Sequence, residues 1–519
     1  MKKTCPLAGT YSIENCNHMI STDTSVAKAT ELEAYFQQFR QHIIGIDQEF
    51  MTPYGKQKII YTDWTASGRL YKPIEEKLMN DFGPYVANTH TETTVSGTAM
   101  TKAYHKAKHI IKDHVNSNTD DVLICCGSGM TEAINKFQRI LGLKVPENLQ
   151  KHTTVPDEMR PVVFITHMEH HSNQTSWLET IAKVEVIPPG EDGLFCMDNL
   201  KELLEHYEAR PIKIASVVGG SNVTGIQTPY HEIAKVMHQN GGVCFVDFAC
   251  SAPYVDIDMH PADEEAALDG IFFSPHKFLG GPGTSGVLIF NKKLYKNMIP
   301  DSPGGGTVSW TNPWGEHKYI DNIEDREDGG TPGFLQTIKT ALAIKLKEQM
   351  GVAKMLEREH ELIDYIFSAL NPIENINILA GQHQDRLGVI SFYIDDLHYN
   401  LGVKILNDRF GIQTRGGCSC AGTYGHFLLH VDVETSNALT QEISLGELMR
   451  KPGWIRMSIH PTTSTEEAVY FCKSLIALAA NHKSWAQDYD YIATTNEFVH
   501  KSTINEDKFQ LPVEEWFEL

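Results

Sequence analysis

The sequence predicts an α/β protein: a largely parallel sheet with helices on both faces, followed by a smaller α+β unit. Two observations carry this. Between residues 59 and 290, short runs that are apolar throughout alternate with amphipathic stretches. The runs include Val122-Leu123-Ile124, Val162-Val163-Phe164-Ile165, residues 212–218, Val243-Cys244-Phe245-Val246, Ile271-Phe272-Phe273 and Val287-Leu288-Ile289-Phe290. Strands buried on both faces read as continuous apolar runs, and the helical patterns at 131–141 and 231–239 supply the covering layers. After a Gly- and Trp-containing stretch at 303–333, the rhythm changes to two long helical patterns, 334–350 and 352–370. Strand-like segments at 389–394 and 455–459 and a helix near 466–480 follow.

These boundaries divide the chain into an N-terminal extension with a helix (1–57, the helical pattern at 26–44), a large domain (58–333), a connecting helix with a small C-terminal domain (334–485) and an acidic tail (486–519). A chain of 519 residues exceeds one small core, so more than one domain is expected.

Composition narrows the function classes. Lys and Arg number 45 against 66 Asp and Glu, a formal charge of −21, which repels phosphate backbones and argues against nucleic acid. No apolar run is long enough to span a bilayer, and the segment after Met1-Lys2-Lys3 lacks the apolar core of a secretory signal. Ten cysteines do not form a disulfide framework. A cytoplasmic enzyme with reduced thiols is expected, and the sequon Asn173-Gln174-Thr175 would then be idle.

Three features suggest chemistry. Lys277, in Ser274-Pro275-His276-Lys277, directly follows the run Gly270-Ile271-Phe272-Phe273. The C-terminal edge of an α/β sheet is where ligands bind, and burial there lowers an amine's pKa as a Schiff-base lysine requires. Asp247 ends another apolar run and offers an anion to a ring nitrogen. The strand at 121–126 runs into Gly127-Ser128-Gly129-Met130-Thr131 and then a helix, where free N–H groups can cradle a phosphate. Alone, the lysine reads better as a loop lysine, the aspartate also as a common strand-end cap, and the glycines as a turn. Together they match the needs of pyridoxal 5'-phosphate (PLP).

In this order the three resemble the class V aminotransferase family of fold-type I PLP-dependent enzymes, most closely its cysteine desulfurase and selenocysteine lyase branch. The resemblance runs from about residue 59 to 461, opening with Tyr61-Thr62-Asp63-Trp64-Thr65-Ala66-Ser67. It implies a large domain with a mainly parallel seven-stranded sheet and a homodimer. It further implies that Lys277 is the Schiff-base lysine and Asp247 the pyridinium partner. Ser128, Gly129, Met130, Ser274 and His276 would bind phosphate. His170, in Met168-Glu169-His170-His171-Ser172-Asn173, would stack on the ring, and Asn222 would reach the 3-oxygen. Thr331, in Gly329-Gly330-Thr331-Pro332, would donate to phosphate across the dimer interface. Arg456 would take the substrate carboxylate. One departure is Cys250, where desulfurases carry a Gln three residues after the Asp.

The reaction is read from Arg415-Gly416-Gly417-Cys418-Ser419-Cys420-Ala421-Gly422. This resembles R-x-G-x-x-C-A of the second desulfurase group, and also R-x-G-C-x-C of molybdenum-cofactor sulfurases. It makes Cys420 the sulfur-accepting thiol and sets Arg415 beside the active site. L-Cysteine would give alanine and an enzyme persulfide, with a sulfur-acceptor protein as a further partner. Other class V reactions (aminotransferase, epimerase, C–S lyase) on a small amino acid share the cofactor residues and stay open, as does a non-catalytic paralogue. His90, in Asn88-Thr89-His90, would belong to the substrate loop, but the neighbouring Glu92 and residues 423–451 depart from the desulfurase pattern. Two competing motifs carry less. Cys418, Cys420, His426 and His430 are zinc-capable residues, but no metal is expected. Gly281-Pro282-Gly283-Thr284-Ser285-Gly286 fits G-x-G-x-x-G yet precedes a strand instead of following one.

Overall fold

The computed structural model describes residues 31–89, 91–503, 509 and 511–519. Seven strands form the main sheet: β1 (Asp121–Cys126), β2 (Val162–Thr166), β3 (Lys183–Ile187), β4 (Lys213–Val218), β5 (Val243–Asp247), β6 (Gly270–Phe273) and β7 (Gly286–Asn291). Their spatial order is β1-β7-β6-β5-β4-β2-β3. Only β7 runs against the others; it pairs antiparallel with both β1 and β6, while the remaining pairs are parallel. The C-terminal ends of β1, β4, β5 and β6 therefore share one edge, and β7 starts there. That edge is the one which binds ligands in open α/β sheets.

The covering helices form where the apolar spacing predicts. Helix Met130–Ile140 buries Met130, Ala133, Ile134, Phe137 and Ile140, an i, i+3, i+4, i+7 stripe on one face. Phe137 is fully buried, with its ring centroid 4.8 Å from those of Phe245 and Phe290. Truncating such a side chain costs about 3–5 kcal/mol. The two long helices are Phe334–Met350 and Val352–Leu370, as the pattern gives them.

A second sheet lies beyond them. Strands β8 (Ile376–Ile378), β9 (Val389–Ile394), β10 (Arg415–Gly417) and β11 (Trp454–Ser458) are all antiparallel, in the order β8-β9-β11-β10. Its core combines Ile390, Phe392, Ile455 and Met457 with Phe471, Leu475 and Leu478 of helix Thr465–Trp485. Two terminal segments pack onto these cores. Within the pattern at 26–44 the described helix is Glu31–Arg40, and its Phe36 and Phe39 pack into the core of the large sheet. The tail begins with a hairpin, Tyr489–Ile492 with Glu497–His500, and Tyr489 is buried in the second core. Among the described residues no helix is long and apolar enough to cross a membrane.

Candidate active site

A cavity of about 530 Å³ opens at the C-terminal edge of the large sheet and is closed on its other side by the loop after β10. Lys277 lies in a tight turn, Pro275–Lys277, directly after β6. The turn is fixed by backbone. Lys277 N–H donates to Ser274 O (3.0 Å), and Gly68 N–H donates to His276 O (2.9 Å). A Cβ on Gly68 would sit 1.9 Å from Phe278 O, and one on Gly281 would sit 1.9 Å from Pro275 O. Only glycine permits these approaches. Among the described residues none hydrogen-bonds the Lys277 amine. Burial lowers its pKa below the ordinary lysine value; Cys250 and Asp247 oppose this, and Arg456 and Arg415 add to it. More of the amine is therefore neutral and nucleophilic.

Asp247 ends β5, buried, with Oδ1 accepting from Ala249 N–H at 2.8 Å. Burial raises its carboxyl to about 6, and the nearby Lys277 partly offsets this. A cationic ring N–H would draw it back to the carboxylate.

After β1 the chain turns at Gly127 (φ +53) and enters helix Met130–Ile140 with no side-chain cap, so first-turn N–H groups face the cavity. Met130 N–H is taken by Ser274 Oγ at 2.8 Å. A Cβ on Gly129 would lie 3.0 Å from Ser274 Oγ and 3.5 Å from the His276 ring. Ser128, Gly129, Ser274 and His276 thus form a cradle that a side chain at 129 would fill. Burial lowers His276 to about 4, so it stays neutral.

His170 precedes helix His171–Leu178 and accepts from Ser172 N–H at Nδ1 (3.1 Å). That bond leaves the ring proton on Nε2. Burial first, then Lys277, holds its pKa near 3. Glu169, fully buried, ties this segment to two strand ends. It accepts from Thr166 N–H and Oγ1, from Val218 N–H at 2.9 Å and from Asn173 Nδ2 at 2.7 Å. Asn222 donates Nδ2 to Ser419 O (2.7 Å), while its Oδ1 is buried without a partner among the described residues. A buried acceptor of this kind costs free energy until a donor reaches it.

The loop after β10 carries the thiols. Ser419 and Cys420 are consecutive non-glycine residues with φ +51 and +55. Such conformations cost about 1–2 kcal/mol each and persist only when neighbours enforce them. The neighbours are visible. His171 N–H donates to Cys420 O (2.7 Å), Gly422 N–H donates to His171 Nε2 (3.0 Å), and Trp454 Nε1 donates to Ser419 Oγ (3.1 Å). Cys420 is exposed and Cys418 half-buried, and both line the cavity with Lys277.

Arg456 on β11 is buried, donating Nη1 to Asn222 O (3.1 Å) and Nη2 to Asp63 Oδ1 (2.7 Å). Arg415 donates to the other oxygen of Asp63. Burial works against the Arg415 charge, and Asp63, Tyr61 and Cys420 outweigh it.

The structure thus brings Lys277, Asp247, His170, Ser128, Gly129, Met130, Asn222, Ser274, His276, Arg415, Arg456 and Cys420 to one cavity. Thr331 is not brought there; it is exposed on the surface, 3.5 Å from Asn88 Nδ2. His90 lies outside the described residues. His426 uses both ring nitrogens, on Gly422 O (2.8 Å) and Ser436 Oγ (2.9 Å). Cys250 is buried on the cavity wall, its Sγ 3.6 Å from Ser221 O. Asp63, Glu169, His171 and the packing glycines Gly68, Gly281 and Gly286 gain roles that motif matching did not assign. Two glycines of G-x-G-x-x-G are packing residues: Gly281 meets the lysine turn, and a Cβ on Gly286 would lie 2.2 Å from Gly129 O at the cradle.

The residues fit PLP: an unbonded amine, a buried carboxylate, a glycine cradle and an orphaned acceptor surround one space. Comparison with known proteins agrees. A "Probable cysteine desulfurase" of Halalkalibacterium halodurans is 29% identical over 372 residues, covering 70% of this chain and 84% of that protein. One from Staphylococcus epidermidis is 28% identical over 369 residues, with the same shares. In fold, the chain is similar to a cysteine desulfurase from Thermococcus onnurineus (TM-score 0.66, 23% identity, covering 82% of this chain and 95% of that one). It is also similar to the cysteine desulfurase CsdA from Escherichia coli (TM-score 0.65, 20% identity, covering 87% and 98%). The profile of the family "Aminotransferase class-V" matches residues 60–471. With most of its length inside that match, the chain belongs to the class V aminotransferase family of PLP-dependent enzymes.

Proposed function

We propose that the chain is a cysteine desulfurase-like enzyme that moves the sulfur of L-cysteine onto Cys420 and releases alanine. One observation carries the reading: the exposed thiol of Cys420 lines the same cavity as the unbonded amine of Lys277.

Lys277 would hold PLP covalently, as a Schiff base, with Asp247 at its ring nitrogen and His170 against its ring. Ser128, Gly129, Met130, Ser274 and His276 would bind its phosphate, and the Asn222 Oδ1 acceptor would take its 3-hydroxyl. The bound group supplies an electron sink for the substrate carbon. The chain's own residues do the rest. Arg456 and Arg415 receive the substrate carboxylate, orienting the amino acid beneath the cysteine loop. The Lys277 amine, its pKa lowered by burial, would carry the α-proton between substrate and pocket. His170 stays neutral and keeps its proton on Nε2, toward the cavity. The Cys420 thiolate attacks the substrate sulfur. The carbon–sulfur bond breaks with its electron pair left on carbon, which takes a proton and departs as alanine. The sulfur remains as a persulfide on Cys420, and an external thiol or sulfur-acceptor protein removes it.

The large domain at 58–333 would then supply the cofactor residues, and the small domain at 334–485 the arginines and the thiol. Exposed apolar side chains on the large-domain side, Met298, Ile299, Trp310 and Trp314, suit a homodimer in which Thr331 serves the partner's site. A cytoplasmic location fits the free thiols. The test supplies L-cysteine and a thiol reductant to the holoenzyme. Sulfide and alanine in equal amounts are expected, with sulfide lost in Cys420→Ser while the cofactor absorbance stays. Sulfide release by Cys420→Ser would show a C–S lyase, and amino transfer to a keto acid without sulfide would show an aminotransferase.

A further inference from the structure

Residues 418–421 form a tight turn, closed by Ala421 N–H donating to Cys418 O at 3.0 Å. Its two central residues, Ser419 and Cys420, have φ +51 and +55. Two positive values in succession mark a type I′ turn, which glycine, asparagine and aspartate usually occupy. Neither central residue here is one of those. What the turn achieves is the approach of two thiols. With Ser419 left-handed, the Cα atoms of Cys418 and Cys420 lie about 5.5 Å apart, the i to i+2 spacing of a helical turn of either hand. Two cysteine sulfurs bond across Cα separations of about 4.4–6.8 Å. Contacts from outside hold the turn: His171 N–H on Cys420 O, Asn222 Nδ2 on Ser419 O and Trp454 Nε1 on Ser419 Oγ. Both thiols line the active-site cavity, Cys420 exposed and Cys418 half-buried against Ala421, Tyr424 and Trp454.

We propose that Cys418 is a second catalytic thiol, which takes the sulfur from the Cys420 persulfide and frees Cys420 for another substrate. This rests on the reading of Cys420 as the thiol that first accepts sulfur from L-cysteine. Cys418, as the thiolate, attacks the outer sulfur of the persulfide. A bond forms between Cys418 Sγ and that sulfur. The bond from that sulfur to Cys420 Sγ breaks, and its electron pair leaves on Cys420. One persulfide and one thiolate give one persulfide and one thiolate, so no oxidant or reductant is consumed. The negative charge passes between the sulfurs in a cavity that Arg415, Lys451 and Lys277 also line. The acidic residues lining it, Glu132 and Asp247, stand on the cradle helix and at the ring position. Each site then holds two sulfurs before an acceptor is needed.

The experiment mixes the PLP-loaded enzyme with excess L-cysteine, without reductant, and quenches it rapidly. Alanine released in the burst is counted per site, and tandem mass spectrometry locates the added sulfur within the peptide that carries both thiols. The wild type is expected to release about two alanines per site, with one sulfur on each thiol. Cys418→Ser, which keeps the shape, should halve the burst and leave sulfur on Cys420 alone. Cys420→Ser should leave Cys418 without sulfur, because nothing loads it. If Cys418→Ser does not fold, the position of sulfur in the wild type decides. A wild-type burst of about one alanine with sulfur confined to Cys420 overturns the relay and leaves the desulfurase reading standing. An equal burst in wild type and Cys418→Ser, or sulfur on Cys418 in Cys420→Ser, also overturns it. A wild type that forms neither alanine nor persulfide overturns both.

Discussion

The two walls of the active-site cavity are built by opposite means. On the large-domain wall, Lys277, Asp247 and the Gly127–Met130 turn sit at the ends of buried strands, locked by sheet hydrogen bonds and by glycines with no room for a Cβ. On the other wall, Ser419 and Cys420 adopt a conformation that side-chain-bearing residues resist, held by His171, Asn222 and Trp454. The first wall is rigid because the fold requires it. The second is held by a few side-chain contacts, so the reaction is easier to change by substitution than the cofactor site.

That contrast can be broken at its strongest point first. Lys277→Ala is expected to lower alanine formation by about 1,000-fold or more, because the covalent anchor and the proton carrier are lost together. Its thermal melting should stay near wild type, since no hydrogen bond of the amine is removed. Steady-state assays beside a melting curve check both.

His171→Ala probes the second wall. It removes the acceptor for Gly422 N–H while leaving the backbone bond to Cys420 O. Sulfide release should fall about tenfold, the worth of one lost, partly buried hydrogen bond, with the cofactor absorbance unchanged. Loss of absorbance would mean that the walls are not independent.

The smallest effect concerns Glu359, on helix Val352–Leu370 behind the cavity, near Tyr254 and Cys250. It is buried; among the described residues its Oε1 lacks a partner, and its Oε2 accepts a long bond from Gly388 N–H (3.4 Å). Burial raises its pKa from 4.5 to about 8. A raised carboxyl holds its proton in the folded state after the unfolded chain has released it. Its stability contribution is therefore complete below about pH 4.5 and is lost as the pH climbs through 8. Glu359→Gln should flatten the decline in stability between pH 5 and 8 and exceed wild type at pH 8, read from denaturant midpoints.

The two walls were also unequally legible in the sequence. Buried strands announce themselves as apolar runs, so β1, β2 and β4–β7 and the residues at their ends could be read directly, while β3, half-buried along most of its length, could not. Cys420 and Arg415 were legible through the resemblance, but the left-handed pair at Ser419 and Cys420 was not, because nothing in their residue types demands it. Asp63 was quoted within a motif without a role. Its arginines lie 352 and 393 residues away, and only the pairing of β10 with β11 shows that they need an anion. Gly281 and Gly286 looked like part of a nucleotide fingerprint and are packing residues, a distinction that rests on what their absent Cβ would strike.

Whether Lys277 and Cys420 act on one substrate in one cavity is tested by mass spectrometry of the peptide containing Cys420. The PLP-loaded enzyme is exposed to L-cysteine without reductant, digested and examined. One added sulfur is expected on Cys420 in the wild type and none in Lys277→Ala. Alanine formed in the wild type with Cys420 unmodified would contradict their joint action.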